Sequence, residues 1–201
     1  MSFELADVYT AGYDEAVKRY FPPFPRGLAG KYYEEGLNYF IRFDGFGDGY
    51  EILAVEERFE IRLRGNVFVG VADLILRKRE TGEIIVIDHK SKSLNSLNRD
   101  LKGNKRQLYL YAAYVREKYG VYPSLLRFNM FRYNDWVDEP FDPAAYDEML
   151  DWTEQTIAQI RADQAWQVSS SGYFCRWICS ARLHCPVGDE IIHSHERRVP
   201  E

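Results

Sequence analysis

An α/β domain, with a mixed central β-sheet flanked by α-helices, is the fold class this sequence predicts, and three observations predict it. Between residues 51 and 90 there are three runs with the two-residue alternation of β-strands, separated by short polar turns. Segments of helical periodicity lie on both sides of that block. The chain has 201 residues, of which 46% are hydrophobic and 15% aromatic, which supports one substantial core and is short for several domains. A single domain over residues 1–201 is therefore expected, with a cysteine-containing segment at 172–186 and a flexible tail at 187–201, where charge is mixed and apolar anchors are few.

Taken in order, residues 3–20 and 27–42 have apolar spacing suited to helices, and the run Phe21-Pro22-Pro23-Phe24-Pro25 separates them because consecutive prolines cannot continue a helix. From Glu51 to Arg64, Val55, Glu57, Phe59, Ile61 and Leu63 alternate with Glu56, Arg58, Glu60 and Arg62, the pattern of a strand with one wet face. Gly65-Asn66 supplies a turn, residues 66–78 a second strand, Glu80-Thr81-Gly82-Glu83 another turn, and residues 84–90 a short third strand that ends in charge. Three successive strands imply a meander. Asn104 is placed to cap a helix through residues 106–119 that stops at Gly120, and residues 124–133 read as a fourth strand. Asp142-Pro143 has the form of an N-cap followed by proline at the first helical position, with Tyr146, Leu150, Thr153, Ile157 and Ile160 at helical spacing to about Asp163.

The formal net charge of -5 argues against a protein that coats nucleic acid by charge alone. It does not argue against a metal-dependent site, since carboxylates gather there and the cation reverses the local sign. The chain has no apolar run of about 18 residues and no signal-like amino end, so the expected location is the cytoplasm.

Alternation in the third strand sends Ile84, Val86, Asp88 and Lys90 to one side and Ile85, Ile87 and His89 to the other. A charged pair at the end of an apolar strand is costly to bury alone, so this end should open on a cleft, a metal or both. Asp73 follows Gly70-Val71-Ala72 in the preceding strand, and antiparallel pairing would bring its carboxylate near that of Asp88. Two carboxylates holding Mg²⁺ or Mn²⁺, with an ammonium from Lys90, form the set that hydrolysis of a phosphodiester requires. Gln107 and Tyr111 lie four apart on one face of the following helix. Between Lys90 and that helix, Lys92, Arg99, Lys102, Lys105 and Arg106 make a basic, flexible connection able to follow a phosphate backbone. Glu56 and Glu57 are candidates for a further acid near the site, with a structural ion pair the more ordinary use of each.

Gly70-x-x-Asp73, apolar-Asp88-x-Lys90 and Gln107-x-x-x-Tyr111, in strand–strand–helix order, resemble the PD-(D/E)XK nuclease superfamily, and specifically its RecB-like exonuclease branch, over about residues 50–186. The resemblance implies a restriction-endonuclease-like core and a Mg²⁺- or Mn²⁺-dependent DNA nuclease. It puts metal ligation on Asp73, Asp88 and the backbone carbonyl of His89, and assistance to the attacking water on Lys90, with Gln107 and Tyr111 beside them. Work in recombination, repair or phage DNA metabolism follows from it, as does a helicase or recombination protein as partner. A non-catalytic nucleic-acid-binding or assembly module that keeps the fold is the alternative reading.

Cys175, Cys179 and Cys185 lie within eleven residues. They are similar to the carboxyl-terminal part of the four-cysteine iron-sulfur staple of AddB-type and CRISPR-associated RecB-like nucleases, with a wider first gap. The family's fourth cysteine lies upstream, as does a histidine in many members, and here no cysteine precedes Cys175 and no histidine precedes His89. On the resemblance, the family's amino-terminal segment would precede the first residue here, and a [4Fe-4S] cluster forms only if an upstream cysteine is supplied. An incomplete cluster site, a zinc site of three cysteines with His184, His193 or His195, and three reduced thiols are the readings left open.

Overall fold

The computed structural model describes residues 2–20, 27–43, 45–165, 174–175, 179, 181 and 184–187. The chain divides into two compact units, residues 1–154 and 155–201. Two helices, α1 (Ser2–Tyr20) and α2 (Leu28–Arg42), lead into the sheet. The remaining elements are β1 (Tyr50–Leu63), β2 (Asn66–Lys78), β3 (Ile84–His89), α3 (Leu94–Arg99), α4 (Leu101–Tyr119), β4 (Leu125–Met130), β5 (Asp135–Pro140) and α5 (Pro143–Ala162). The five strands lie in sequence order, antiparallel except for the parallel pair β3–β4. The sheet is thus mixed and flanked by helices, the expected class, and the expected meander is β1–β2–β3. A parallel neighbour needs a crossover, which α3 and α4 provide.

The faces of β3 divide as its alternation requires. Ile84 and Val86 join a core with α4, where Leu108, Ala112 and Val115 are fully buried at helical spacing. Ile85 and Ile87 join a smaller cluster with Leu74 and Leu76, against Phe46, Tyr50 and Trp136. A fully buried Leu or Val contributes about 1.5–3 kcal/mol, so the α4 face fixes the register of β3 strongly. Gly120 ends α4 in the left-handed conformation, with φ 78°.

Four local expectations are corrected. Helix α4 starts earlier than the Asn104 reading: Asp100 is the cap and accepts from the Gly103 N–H at 3.1 Å, while Asn104 lies inside the helix and donates to the carbonyls of Leu97 and Asp100. The basic segment after Lys90 is not a flexible connection, because Ser93 caps α3 and Leu97 is completely buried. The fourth strand stops at Met130, where a single 3-10 turn (Phe131–Tyr133) and left-handed Asn134 fold the chain back into β5, an edge strand whose short, polar sequence hides its pairing. Val55, expected on the dry face of β1, is exposed. The cause is an irregularity in β1: the register shifts between Ile52 and Ala54, and Glu56 has φ 49°, a left-handed value uncommon outside glycine.

Candidate functional site

The irregularity lies opposite Asp73. Val55 pairs with Leu74 and Glu57 with Ala72, so Glu56 faces Asp73 in register without a ladder pair of its own. Alternation in β2 breaks at the same point: Ala72 and Ile75 share the α4-side core, with Leu74 on the other face. On the other edge of β2 the last ladder pair is Leu74 with Ile87, and one further step sets Asp73 against Asp88. The Asp73 Oδ2 accepts the His89 N–H at 2.7 Å, which ties that carboxylate to the end of β3. Asp73 and Asp88 are therefore brought together from neighbouring strands, as the sequence led us to expect.

Asp88 is 1% exposed. Burial pushes its pKa up, the neighbouring Lys90 ammonium pulls it down, and the charge of Asp73 pushes it up again. Lys90 Nζ forms an ion pair with Asp88 Oδ2 at 2.6 Å. The same ammonium donates to Gln107 Oε1 at 2.7 Å, and Gln107 Nε2 donates to the Tyr111 hydroxyl at 2.6 Å. Tyr111 stands edge-on to Phe59, and its pKa is pushed up to about 12 by burial, against the Gln107 hydrogen bond and with the charges of Asp88, Asp73 and Glu56 adding to the rise. All three acids thus lie within electrostatic reach of one phenol. Lys90, Gln107 and Tyr111 form a continuous polar chain from the strand end onto α4.

Asn129, Tyr39, Arg132 and Glu35, which sequence reasoning did not single out, complete the frame. Asn129, on β4 beside His89, is 1% exposed; its Nδ2 lies 2.8 Å from the Tyr39 hydroxyl and 2.9 Å from His89 Nδ1, and its carbonyl accepts the Lys90 N–H at 2.8 Å. Arg132 binds Glu35 of α2 at 2.6 Å and the Ser91 carbonyl at 3.1 Å, so α2 is fastened to the segment just after Lys90. The signal was an Asn among the apolar residues Leu126, Phe128 and Met130, but only the parallel pairing of β4 with β3 gives it meaning.

On the α2 side of the sheet lies a cleft of about 820 Å³, whose lining includes Glu56, Asp73, His89 and Asn129 together with aromatic side chains of α1 and α2. The remaining expected site residues are placed as follows. Lys92 donates to Asn104 Oδ1 at 2.6 Å, Lys102 pairs with Glu148, Lys105 pairs with Glu139 at 2.7 Å, the Arg106 guanidinium stacks 3.8 Å from the Trp152 ring, and Arg99 is exposed at the end of α3. Glu57 takes the structural role, in an ion pair with Lys118 at 2.5 Å that holds its pKa below the usual carboxylate range. Cys175, Cys179 and Cys185 are free thiols; His193 and His195 lie outside the described residues.

Among the described residues, no group of three or more His, Cys, Asp or Glu side chains is placed to hold a metal ion. This is compatible with a Mg²⁺-type site, which needs one or two carboxylates and completes its shell with water and phosphate oxygens. Two neighbouring carboxylates, one of them raised in pKa chiefly by its burial and further by the charge of the other, fit a hard cation.

No helix among the described residues is long and apolar enough to cross a membrane. No curated protein matches the chain. The solved structure of the protein SSO0001 is similar at 24% identity with a TM-score of 0.40, over 91% of this chain and 81% of that one. The model of the PD-(D/E)XK nuclease superfamily matches residues 8–186. That span holds every strand of the mixed sheet and the Asp73, Asp88 and Lys90 constellation at its centre, and the chain belongs to the PD-(D/E)XK nuclease superfamily.

Proposed function

We propose that this chain is a divalent-metal-dependent deoxyribonuclease of the RecB-like exonuclease branch, cutting phosphodiester bonds in recombination, repair or phage DNA metabolism. The observation that carries the reading is the Lys90 ammonium between Asp88, at 2.6 Å, and Gln107, at 2.7 Å, next to a second carboxylate from β2. Asp73 and Asp88, with the His89 carbonyl, would hold Mg²⁺ or Mn²⁺, which when bound neutralises charge on the phosphate and activates water. Lys90 steadies the attacking water and the charge that develops on the phosphate. Gln107 holds the ammonium in place through its carbonyl oxygen, and Tyr111 fixes the Gln107 amide. Since Lys102 and Lys105 are engaged by acids, Lys92, Arg99 and Arg106 are the better placed of the five basic residues for phosphate contact.

The iron-sulfur and partner readings stay with the branch assignment: an upstream cysteine would complete the cluster, and a helicase or recombination protein would be the partner. The test of function is cleavage of linear single- and double-stranded DNA with Mn²⁺, beside Asp88→Ala and Lys90→Ala. Loss of activity in both variants supports the reading, and equal activity in all three proteins ends it.

A further inference from the structure

We infer that the aromatic cleft between α1–α2 and the sheet is a stacking platform for unpaired nucleobases, so that the strand is presented to Asp73 and Asp88 with its bases turned away from the phosphate chemistry; this rests on the nuclease reading above. Helix α2 is strongly amphipathic yet buries none of its residues, because its apolar side lines the cleft instead of entering the core. Eight of the twenty described residues that line it are aromatic. Their rings form a continuous series: Tyr9 lies 5.4 Å from Tyr13 and 5.2 Å from Phe40, Phe40 lies 5.4 Å from Tyr39, and Tyr39 stacks on Phe43 at 5.5 Å. Hydroxyl anchors hold the rings in place, Tyr9 donating to the Tyr32 carbonyl at 3.1 Å, Tyr13 to the Ala29 carbonyl at 2.7 Å, and Tyr39 accepting from Asn129.

Charge decides which part of a nucleotide fits. Among the described residues that line the cleft, Arg132 is the only Lys or Arg, and Glu35 neutralises it at 2.6 Å, while Glu56 adds negative charge. Phosphates are therefore repelled from the interior and bases are not. Asp73 and His89 belong to the lining, and Asp73 is bonded to the end of β3, so a strand with its bases among the rings passes its backbone by the Asp73 carboxylate. A duplex keeps its bases paired and stacked inside, which excludes it from such a cleft until its end is opened. Stacking of bases on aromatic rings is the sequence-tolerant contact by which single-strand binders hold unpaired nucleotides.

The test is fluorescence anisotropy of the full chain in Ca²⁺ with a labelled single-stranded oligodeoxythymidylate, an abasic strand of equal length, and a blunt duplex. Binding of the natural strand at least about tenfold tighter than both others is expected, and Phe40→Leu/Phe43→Leu, which keeps apolar volume and removes ring faces, should close most of that gap. Equal affinity for the natural and abasic strands overturns the inference whatever the cleavage assay shows, and also if the cleft takes an apolar protein segment instead. A gap that survives intact in a variant with wild-type melting behaviour overturns it too. Base-dependent binding without Mn²⁺-dependent cleavage leaves the platform standing and removes the nuclease reading.

Discussion

On its α4 side the end of β3 is locked: Lys90 contacts Asp88 and Gln107, Gln107 contacts Tyr111, and the strand beneath is fully buried. On its α2 side the same strand end opens onto an aromatic cleft whose covering helix buries nothing. One residue step along β3 separates the two environments, because alternation sends Asp88 and Lys90 one way and His89 the other. The difference separates two tasks. Groups that act on a reacting phosphate must be held to within a fraction of an ångström by packed neighbours, whereas a surface that accepts a moving polymer must stay open.

The largest effect should come from the locked side. Lys90→Met should lower kcat by about a hundredfold or more with KM little changed, as loss of a positioned charge-stabilising donor does. Phe40→Leu/Phe43→Leu on the open side should raise KM and leave kcat within about threefold. Steady-state kinetics on a defined oligonucleotide with Mn²⁺ checks both, and an equal fall of kcat in the two variants would erase the distinction.

Lys90→Met should also change the response to pH in chelator. The Asp88 pKa is already raised by burial, and losing the ammonium that pulls it down raises it further. A raised folded-state pKa means that the folded protein holds the proton more tightly than the unfolded chain does. The stabilisation is therefore complete below the ordinary Asp range and disappears as pH rises through the folded value. The urea midpoint of Lys90→Met should fall more between pH 5 and pH 8 than that of the wild type; a parallel fall would show that Asp88 is not insulated from solvent.

Asn129 joins the two sides, and Asn129→Leu tests how much. It removes the contacts to Tyr39 and His89 from a site with 1% exposure, leaving their polar atoms to find water. A loss of about 1–3 kcal/mol is expected in urea unfolding. A loss of only a few tenths would mean that α2 is held by Arg132 and Glu35 alone.

How much of this was legible depends on the range of the interaction. The strands β2 and β3, the facing of Asp88 and Lys90, and the stop at Gly120 were readable because alternation and glycine's tolerance of positive φ act within a few residues. Asp73 beside Asp88 was readable because antiparallel neighbours in a meander are set by the turn between them. Asn129 was not, since it meets His89 only through a parallel pairing across a helix, forty positions away in sequence. The left-handed turn of the backbone at Glu56 was hidden as well: nothing in an alternating run shows which residue will take φ 49°, and Val55 beside it lines the cleft. The basic segment misled because its charges were counted and its leucines were not. Leu94, Leu97 and Leu101 anchor it, and Glu139 and Glu148, distant in sequence, engage two of its lysines.

Gly120→Ala should have a smaller effect, confined to the locked helix. An added Cβ meets nothing within 4 Å, so the cost is that of φ 78° alone, about 1 kcal/mol in thermal or urea unfolding with activity unchanged. The smallest effect concerns Glu57 and Lys118, at the edge of the α4 face. The Lys118 hydrogen bond holds the Glu57 pKa below its usual range, so the stabilisation is present above the ordinary Glu pKa and is lost as pH falls through the depressed folded value. Both side chains are roughly a third exposed, so solvent screens the pair and it contributes at most about 0.5 kcal/mol. Glu57→Gln should therefore leave stability at pH 7 almost unchanged and flatten its decline between pH 5 and pH 3. A large loss at pH 7 would mean that this edge is as tightly packed as the strand end beside Lys90, and that the locked region reaches across the whole helix face.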